Sequence, residues 1–272
     1  MLFGKLKKLL VCLLLTTLVL AAGSAAHWSY YGEDGPAHWG ELSAEYLACA
    51  EGLGQSPINI SWDDDDDDDG DDDFSSANKD RNLNAPELTF DYSSSATLDV
   101  FNNGHTIQAN VPPNSGTLFI GQDAYALAQF HFHTPSEHLL NGDSYAVEMH
   151  LVHKNGNDEL AVVGVFFNVG YKNAELASLF ANLPAVKDAH ASVADFDLSA
   201  IAPNSSATFR YSGSLTTPPC SEGVRWHVAA VPSNLSHTQY RAFSHLFTGS
   251  HFPDGNRRPV QNLNGRNVVL VP

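Results

Sequence analysis

The sequence is poor in three things, and each shortage excludes a class of protein. Among 272 residues there are three Cys, which excludes a small scaffold held by many disulfides. There are only 14 Lys and Arg against 31 Asp and Glu, a formal net charge of −17. Binding to nucleic acid needs clustered cations to neutralise phosphates, so that class is excluded too. No apolar run exceeds the twelve residues Leu9 to Leu20, which is short for a membrane span. What is present is a 43% hydrophobic, 10% aromatic composition, enough for a sizeable core, and thirteen His.

The short apolar run has its own explanation. Lys5, Lys7 and Lys8 precede it and small residues, Ala21 to Ala26, follow it. That order predicts a secretory signal over residues 1–26, cleaved near Ala26, and a secreted or periplasmic mature chain with no membrane attachment. Loss of the three Lys takes the charge from −17 to −20. Cys12 leaves as well, so Cys49 and Cys220 remain. In an oxidising compartment two Cys favour a disulfide over the alternative of two free thiols that never meet.

Residues 27–272 read as one domain with one insert at about 62–80. Asp63 to Asp69 and Asp71 to Asp73 place ten carboxylates in a row, interrupted by Gly70. Such a run predicts an extended, solvated loop. It suits weak association of Ca²⁺ or other cations, but Ser76 stands where an EF-hand loop needs its closing Glu.

Beyond the insert the chain reads as strands. Period-2 alternation marks Leu98 to Phe101, His105 to Val111, Tyr125 to His133 and Tyr145 to His153. Leu160 to Phe167 is almost wholly apolar, as in a strand covered on both faces. Thr208 to Tyr211 and Val224 to Val231 add two more. Helical spacing appears over Asn173 to Leu183 and over Ser236 to Phe247, with Ser236 a candidate N-cap. The predicted class is mostly β with a few short helices, a single domain on a large, mainly antiparallel twisted sheet.

The segment Gln129-Phe130-His131-Phe132-His133 carries the chemistry. Alternate residues of a strand share a face, so Gln129, His131 and His133 project together with the two Phe behind them. Glu148-Met149-His150 repeats the pattern. Were the two strands paired, three His would meet, which is the donor set of a catalytic rather than a structural zinc site. Gln129 and Glu148, two residues from ligands on the same faces, are candidates to orient the imidazoles. Glu137 and His138 could equally form a solvated turn. His153 falls on the face opposite His150 and reads as structural.

In their order and identity these residues resemble an α-class carbonic anhydrase of the secreted, bacterial type. The resemblance covers nearly all of residues 27–272 except the Asp insert. It is carried by Trp28-Ser29-Tyr30, Gln55-Ser56-Pro57-Ile58-Asn59, Asn102-Asn103-Gly104-His105, the His131-Phe132-His133 strand with Ser136-Glu137-His138, Glu148-Met149-His150, Ser214-Leu215-Thr216-Thr217-Pro218-Pro219 and Asn256-Arg257-Arg258-Pro259.

The resemblance implies an enzyme, a zinc lyase that interconverts CO₂ and bicarbonate by attack of a zinc-held hydroxide, with a His moving the proton. It implies Zn²⁺ on His131, His133 and His150, oriented by Gln129, Glu148 and the carbonyl of Asn256. It implies His105 as proton shuttle and Thr216 as a gate hydrogen-bonded to Glu137. Val152, Val162, Leu215 and Trp226 would hold CO₂, with Tyr30 and Thr217 in the polar network. It implies a Cys49–Cys220 bridge, and it leaves monomer and homodimer both open. Gln108 stands where the family often has Asn. The contrasting reading is a non-catalytic or mineral-associated protein that uses the Asp tract for cations. The complete His set with Thr216 and Glu137 speaks for the enzyme.

Overall fold

The computed structural model describes residues 26–62, 82–203 and 205–272. Residues 1–25 of the expected leader and the Asp tract lie outside the described residues.

One sheet of twelve strands organises the chain. In chain order they are β1 (Leu88–Tyr92), β2 (Ala96–Asn102), β3 (Ile107–Asn110), β4 (Gly116–Ile120), β5 (Asp123–His133) and β6 (Val147–Lys154). They continue with β7 (Leu160–Val169), β8 (His190–Phe196), β9 (Thr208–Ser214), β10 (Glu222–Ala229), β11 (Ser233–Leu235) and β12 (Val269–Val271). The main path runs β8-β2-β3-β5-β6-β7-β10-β9-β12, with β4 beside β5, β1 beyond β4, and β11 beside β7. Pairing is antiparallel except where β10 and β11 run parallel to β7. The sheet is therefore mixed and mainly antiparallel.

Alternation along the central strands sorts residues onto two faces. Phe130, Phe132, Met149, Leu151, Val163 and Val165 enter the larger core. The other face carries a smaller cluster that includes Val162, Phe166, Tyr211, Trp226 and Val228. β7 is buried along seven consecutive residues, Ala161 to Phe167, so both faces of the sheet are covered at its centre.

Two segments differ from the sequence expectation. The helix expected over Asn173 to Leu183 is α-helical only at Ala177–Phe180. The Asn173 side chain takes the Leu176 N–H at 2.9 Å, and Gln239 holds both backbone groups of Asn173, so the first part is a capped turn. The strand expected from His105 begins only at Ile107. There Asn103 Oδ1 accepts the N–H groups of both His105 and Thr106, closing a turn that lifts His105 off the ladder. At the second helix, Ser236 caps His237–Ser244 in a capping box with Gln239.

His153 and His227 lie on the face away from the three-His strands and are 0% and 4% exposed. Burial lowers their pKa values to about 4 and about 3, with nearby cations adding to the effect at His227. An unfolded His titrates near 6.5, so between those values the unfolded chain binds more protons than the folded one. Stability is complete above about pH 6.5 and falls as the pH drops toward 4, by up to about 3 kcal/mol for each ring. Urea midpoints at pH 7.5 and pH 4.5 should show this fall. His153→Leu should flatten the profile; an unchanged profile would refute the assignment.

Candidate active site

Strand register brings the three His together. His131 on β5 is directly opposite His150 on β6, and Gln108 on β3 is opposite His131 from the other side. His133 follows on the same face of β5. The ring centroids of His131, His133 and His150 lie 4.7–5.3 Å apart, and one ring nitrogen of each lies within 4.8 Å of the others.

Each imidazole is turned by a partner that can only accept. His131 Nδ1 donates to Gln129 Oε1 at 2.8 Å, His133 Nδ1 to the Asn256 carbonyl at 2.7 Å, and His150 Nε2 to Glu148 Oε1 at 2.8 Å. These bonds place the protons outward and leave His131 Nε2, His133 Nε2 and His150 Nδ1 with lone pairs facing one another. Burial, and then the proximity of His133 and His150, keeps the His131 ring far below the usual pKa of His; burial also lowers that of His133, against the opposing pull of Glu137. His133 Nε2 is buried without a hydrogen-bond partner, as is Glu137 Oε2, 3.5 Å away. Buried orphans of this kind are costly. Three convergent ring nitrogens, one of them otherwise unsatisfied, fit a zinc ion with an open fourth position.

Glu148 is fully buried yet holds its charge. Its Oε2 accepts the backbone N–H groups of Glu137 and His138, and its Oε1 accepts His138 Nδ1 and His150 Nε2. Burial pushes its pKa up, but His138 and His150 outweigh it and hold the carboxyl well below its ordinary value. A Cβ at Gly164 would come within 3.0 Å of Glu148 Oε1, so a glycine here leaves room for the carboxylate. Behind Glu148 the chain continues: His138 Nε2 accepts from Tyr211 at 2.6 Å, and Tyr211 accepts from Ser56 at 2.8 Å. The solvated turn weighed for Glu137 and His138 is thus a buried network; they are 1% and 0% exposed. Sequence reasoning missed Tyr211 and Ser56, since neither residue type marks such a role.

The lone pairs face a cavity of about 250 Å³. Val152, Val162, Leu215 and Trp226 supply its apolar lining, while Tyr30, His105, Gln108, Gln129, Thr216 and Thr217 supply polar groups. His105 stacks on Trp28 with ring centroids 3.7 Å apart and planes 13° from parallel. Burial, with Lys187 and His27 nearby, pulls the His105 pKa down to about 4. In the sequence Trp28 only helps to carry the resemblance; its stacking on His105 comes from the structure.

A loop near the C-terminus closes the site. A Cβ on Gly255, whose φ is +77°, would fall 1.7 Å from the Thr134 carbonyl, so only glycine permits this approach. The approach brings the Asn256 carbonyl to His133 and the Arg258 N–H to Glu137 Oε1, at 2.8 Å. Buried Arg258 also donates to Gln55 Oε1 and to the Ser56 and Cys49 carbonyls. The Thr216–Glu137 hydrogen bond implied by the resemblance is not formed. Glu137 Oε2 instead points toward His133 Nε2 and His150 Nδ1, the latter at 3.9 Å. Cys49 and Cys220 form a disulfide.

A family model described as eukaryotic-type carbonic anhydrase matches residues 34–271. The chain belongs to the α-carbonic anhydrase family. A carbonic anhydrase of Klebsiella pneumoniae is 42% identical over 247 residues, which cover 90% of this chain and 91% of that one. An α-carbonic anhydrase of Thermovibrio ammonificans, solved with the inhibitor sulfanilamide, superposes with a TM-score of 0.78 at 40% identity, covering 90% of this chain and all of that one. The α-carbonic anhydrase of Photobacterium profundum gives 0.74 at 37% identity, with the same coverage of this chain. This carbonic anhydrase is thus an enzyme whose family interconverts CO₂ and bicarbonate. No helix among its described residues is long and apolar enough to cross a membrane.

Proposed function

We propose that the chain hydrates CO₂ reversibly as a zinc enzyme, with zinc held by His131, His133 and His150. The observation that carries this reading is the orphaned, inward His133 Nε2 between two rings whose protons are directed outward. These three residues would hold the zinc, which would supply a water-derived nucleophile near neutral pH, at the pKa of about 7 already established for carbonic anhydrases.

The chain's own groups do the rest. CO₂ has no net dipole, so Val152, Val162, Leu215 and Trp226 offer it an apolar wall and compete poorly for water. Glu137, fixed by the Arg258 N–H, presents Oε2 beside the ligand nitrogens as a hydrogen-bond acceptor. Thr216 and Thr217 supply hydroxyl groups at the same wall, where product oxygens can be bound. His105, on the polar side of the same cavity, would pass the proton to solvent; burial lowers its pKa to about 4, which speeds release but slows uptake from a group near 7. The leader over residues 1–26 would deliver the enzyme to an oxidising compartment, which agrees with the Cys49–Cys220 disulfide.

Stopped-flow CO₂ hydration tests the reading together with metal analysis. The protein should carry about one zinc per chain, lose activity on dialysis against dipicolinate, regain it with added zinc, and be inhibited by an aromatic sulfonamide. Zinc-replete protein that does not hydrate CO₂ would overturn it.

A further inference from the structure

We propose that the side-chain amide of Asn256 is a positioning residue for proton export, holding the His105 turn against the strand that carries His131 and His133. The inference rests on the shuttle role given to His105 above.

Asn256 is 0% exposed, and every polar atom it has is used. Its backbone serves the metal side: the carbonyl takes His133 Nδ1 and the N–H donates to the Thr134 carbonyl at 3.1 Å. Its side chain serves a different purpose. Oδ1 accepts the Thr134 N–H at 2.8 Å, which fixes the amide so that both hydrogens of Nδ2 point the other way. One goes to the Phe132 carbonyl at 2.9 Å, between the two ligands of β5, and the other to the His105 carbonyl at 3.0 Å. One planar group therefore ties the proposed shuttle to the proposed ligand strand.

Other bonds support the turn, but none of them holds the His105 backbone itself to that strand. Asn103 Oδ1 holds the N–H groups of His105 and Thr106, but only within the turn itself. Thr106 Oγ1 bonds the backbone of Phe132, one residue later. At His105 the backbone's link to the rest of the fold is its carbonyl on Asn256, and the ring rests on Trp28. A shuttle works across ordered water, so its distance from the site must be held closely; an error of about 1 Å at a positioned group can cost about 100-fold. Proton export follows CO₂ capture in each turnover. Loosening the His105 turn should thus lower kcat and spare kcat/KM.

Asn256→Asp keeps the acceptor for Thr134 and the backbone carbonyl for His133, but turns a second oxygen toward the Phe132 and His105 carbonyls. Asn256→Ser shortens the group and loses the reach. In weakly buffered medium kcat should fall about tenfold or more in each, with kcat/KM within about twofold of the parent. Imidazole as an external proton carrier should restore kcat, and zinc content should be unchanged. In metal-free protein the His105 Hε1 resonance, shifted by the Trp28 ring, should move toward the value of a free imidazole. If the aspartate variant fails to fold, the serine variant carries the same readouts.

A parallel fall of kcat and kcat/KM, a kcat that imidazole does not restore, or an unchanged kcat overturns the proposal. His105→Ala is the control for the reading beneath it. If that variant shows no kcat loss that imidazole repairs, the shuttle role of His105 fails. If it does while Asn256→Asp behaves as the parent, only the role of Asn256 fails.

Discussion

His133→Ala should reduce zinc affinity by more than about 100-fold, because removing a ligand must exceed the 10- to 100-fold effect of removing a ligand's own partner. CO₂ hydration at limiting zinc should fall by about 1000-fold or more, since metal assistance is worth several kcal/mol and each 1.4 kcal/mol is a factor of ten. The geometry says why this ring is critical. His133 is 1% exposed, its Nδ1 is committed to Asn256, and its Nε2 has no other partner. His153→Ala is the informative comparison, because His153 is equally buried, on neighbouring strand β6, and faces away from the site. Its ring bonds Tyr92 and the Ala161 carbonyl. That variant should lose stability and keep about one zinc per chain. Isothermal titration of metal-free protein with zinc, beside thermal melts, separates the two outcomes. Equal zinc affinity in His133→Ala and the parent would refute the ligand assignment.

Removing the Cys49–Cys220 bridge should have the second largest effect, this time on stability. The two Cys are 171 residues apart in sequence. In the chain-entropy account, closing a loop that long disfavours the unfolded state by about 5 kcal/mol. For a chain of this size, that corresponds to a fall in Tm of roughly 10–20 °C. The bridge also holds local structure. The Cys220 N–H donates to the Thr217 carbonyl at 2.8 Å, the Cys220 carbonyl takes Gln55, and the Cys49 carbonyl takes Arg258. These bonds brace the turn after Thr216 and the loop that reaches Glu137. A Cys49→Ser, Cys220→Ser double variant should therefore melt far below the parent while keeping most of its activity at 25 °C. Scanning calorimetry with and without reductant gives the same comparison in the unmodified chain. A fall of less than about 5 °C would show that the unfolded chain is not constrained by the bridge.

Much of the site could be read along the chain, because a strand converts a period of two into a shared face. Gln129, His131 and His133 needed only that rule, and so did Glu148 and His150. The helix over Asn173 to Leu183 was read too long for the opposite reason: the apolar spacing was there, but Gln239, 66 residues away, fixes Asn173 as a turn. The same kind of override moved His105 from a strand into a turn. His138, Tyr211 and Ser56 were not legible as a unit, since their bonds to Glu148 and to one another span up to 155 residues.

The sequence by itself determined the mostly β class, the strand faces shared by Gln129, His131 and His133 and by Glu148 and His150, and that these faces carry residue types able to bind a metal; the shuttle and CO₂-pocket roles were implied only by the family resemblance. Only the tertiary structure decided that His150 stands opposite His131, which ring nitrogen of each His points inward, and that Glu137 Oε2 turns toward the ligands rather than to Thr216. The reason is physical. Ring orientation is set by acceptors such as the Asn256 carbonyl, 123 residues from His133, and a backbone carbonyl is present at every residue and so marks none.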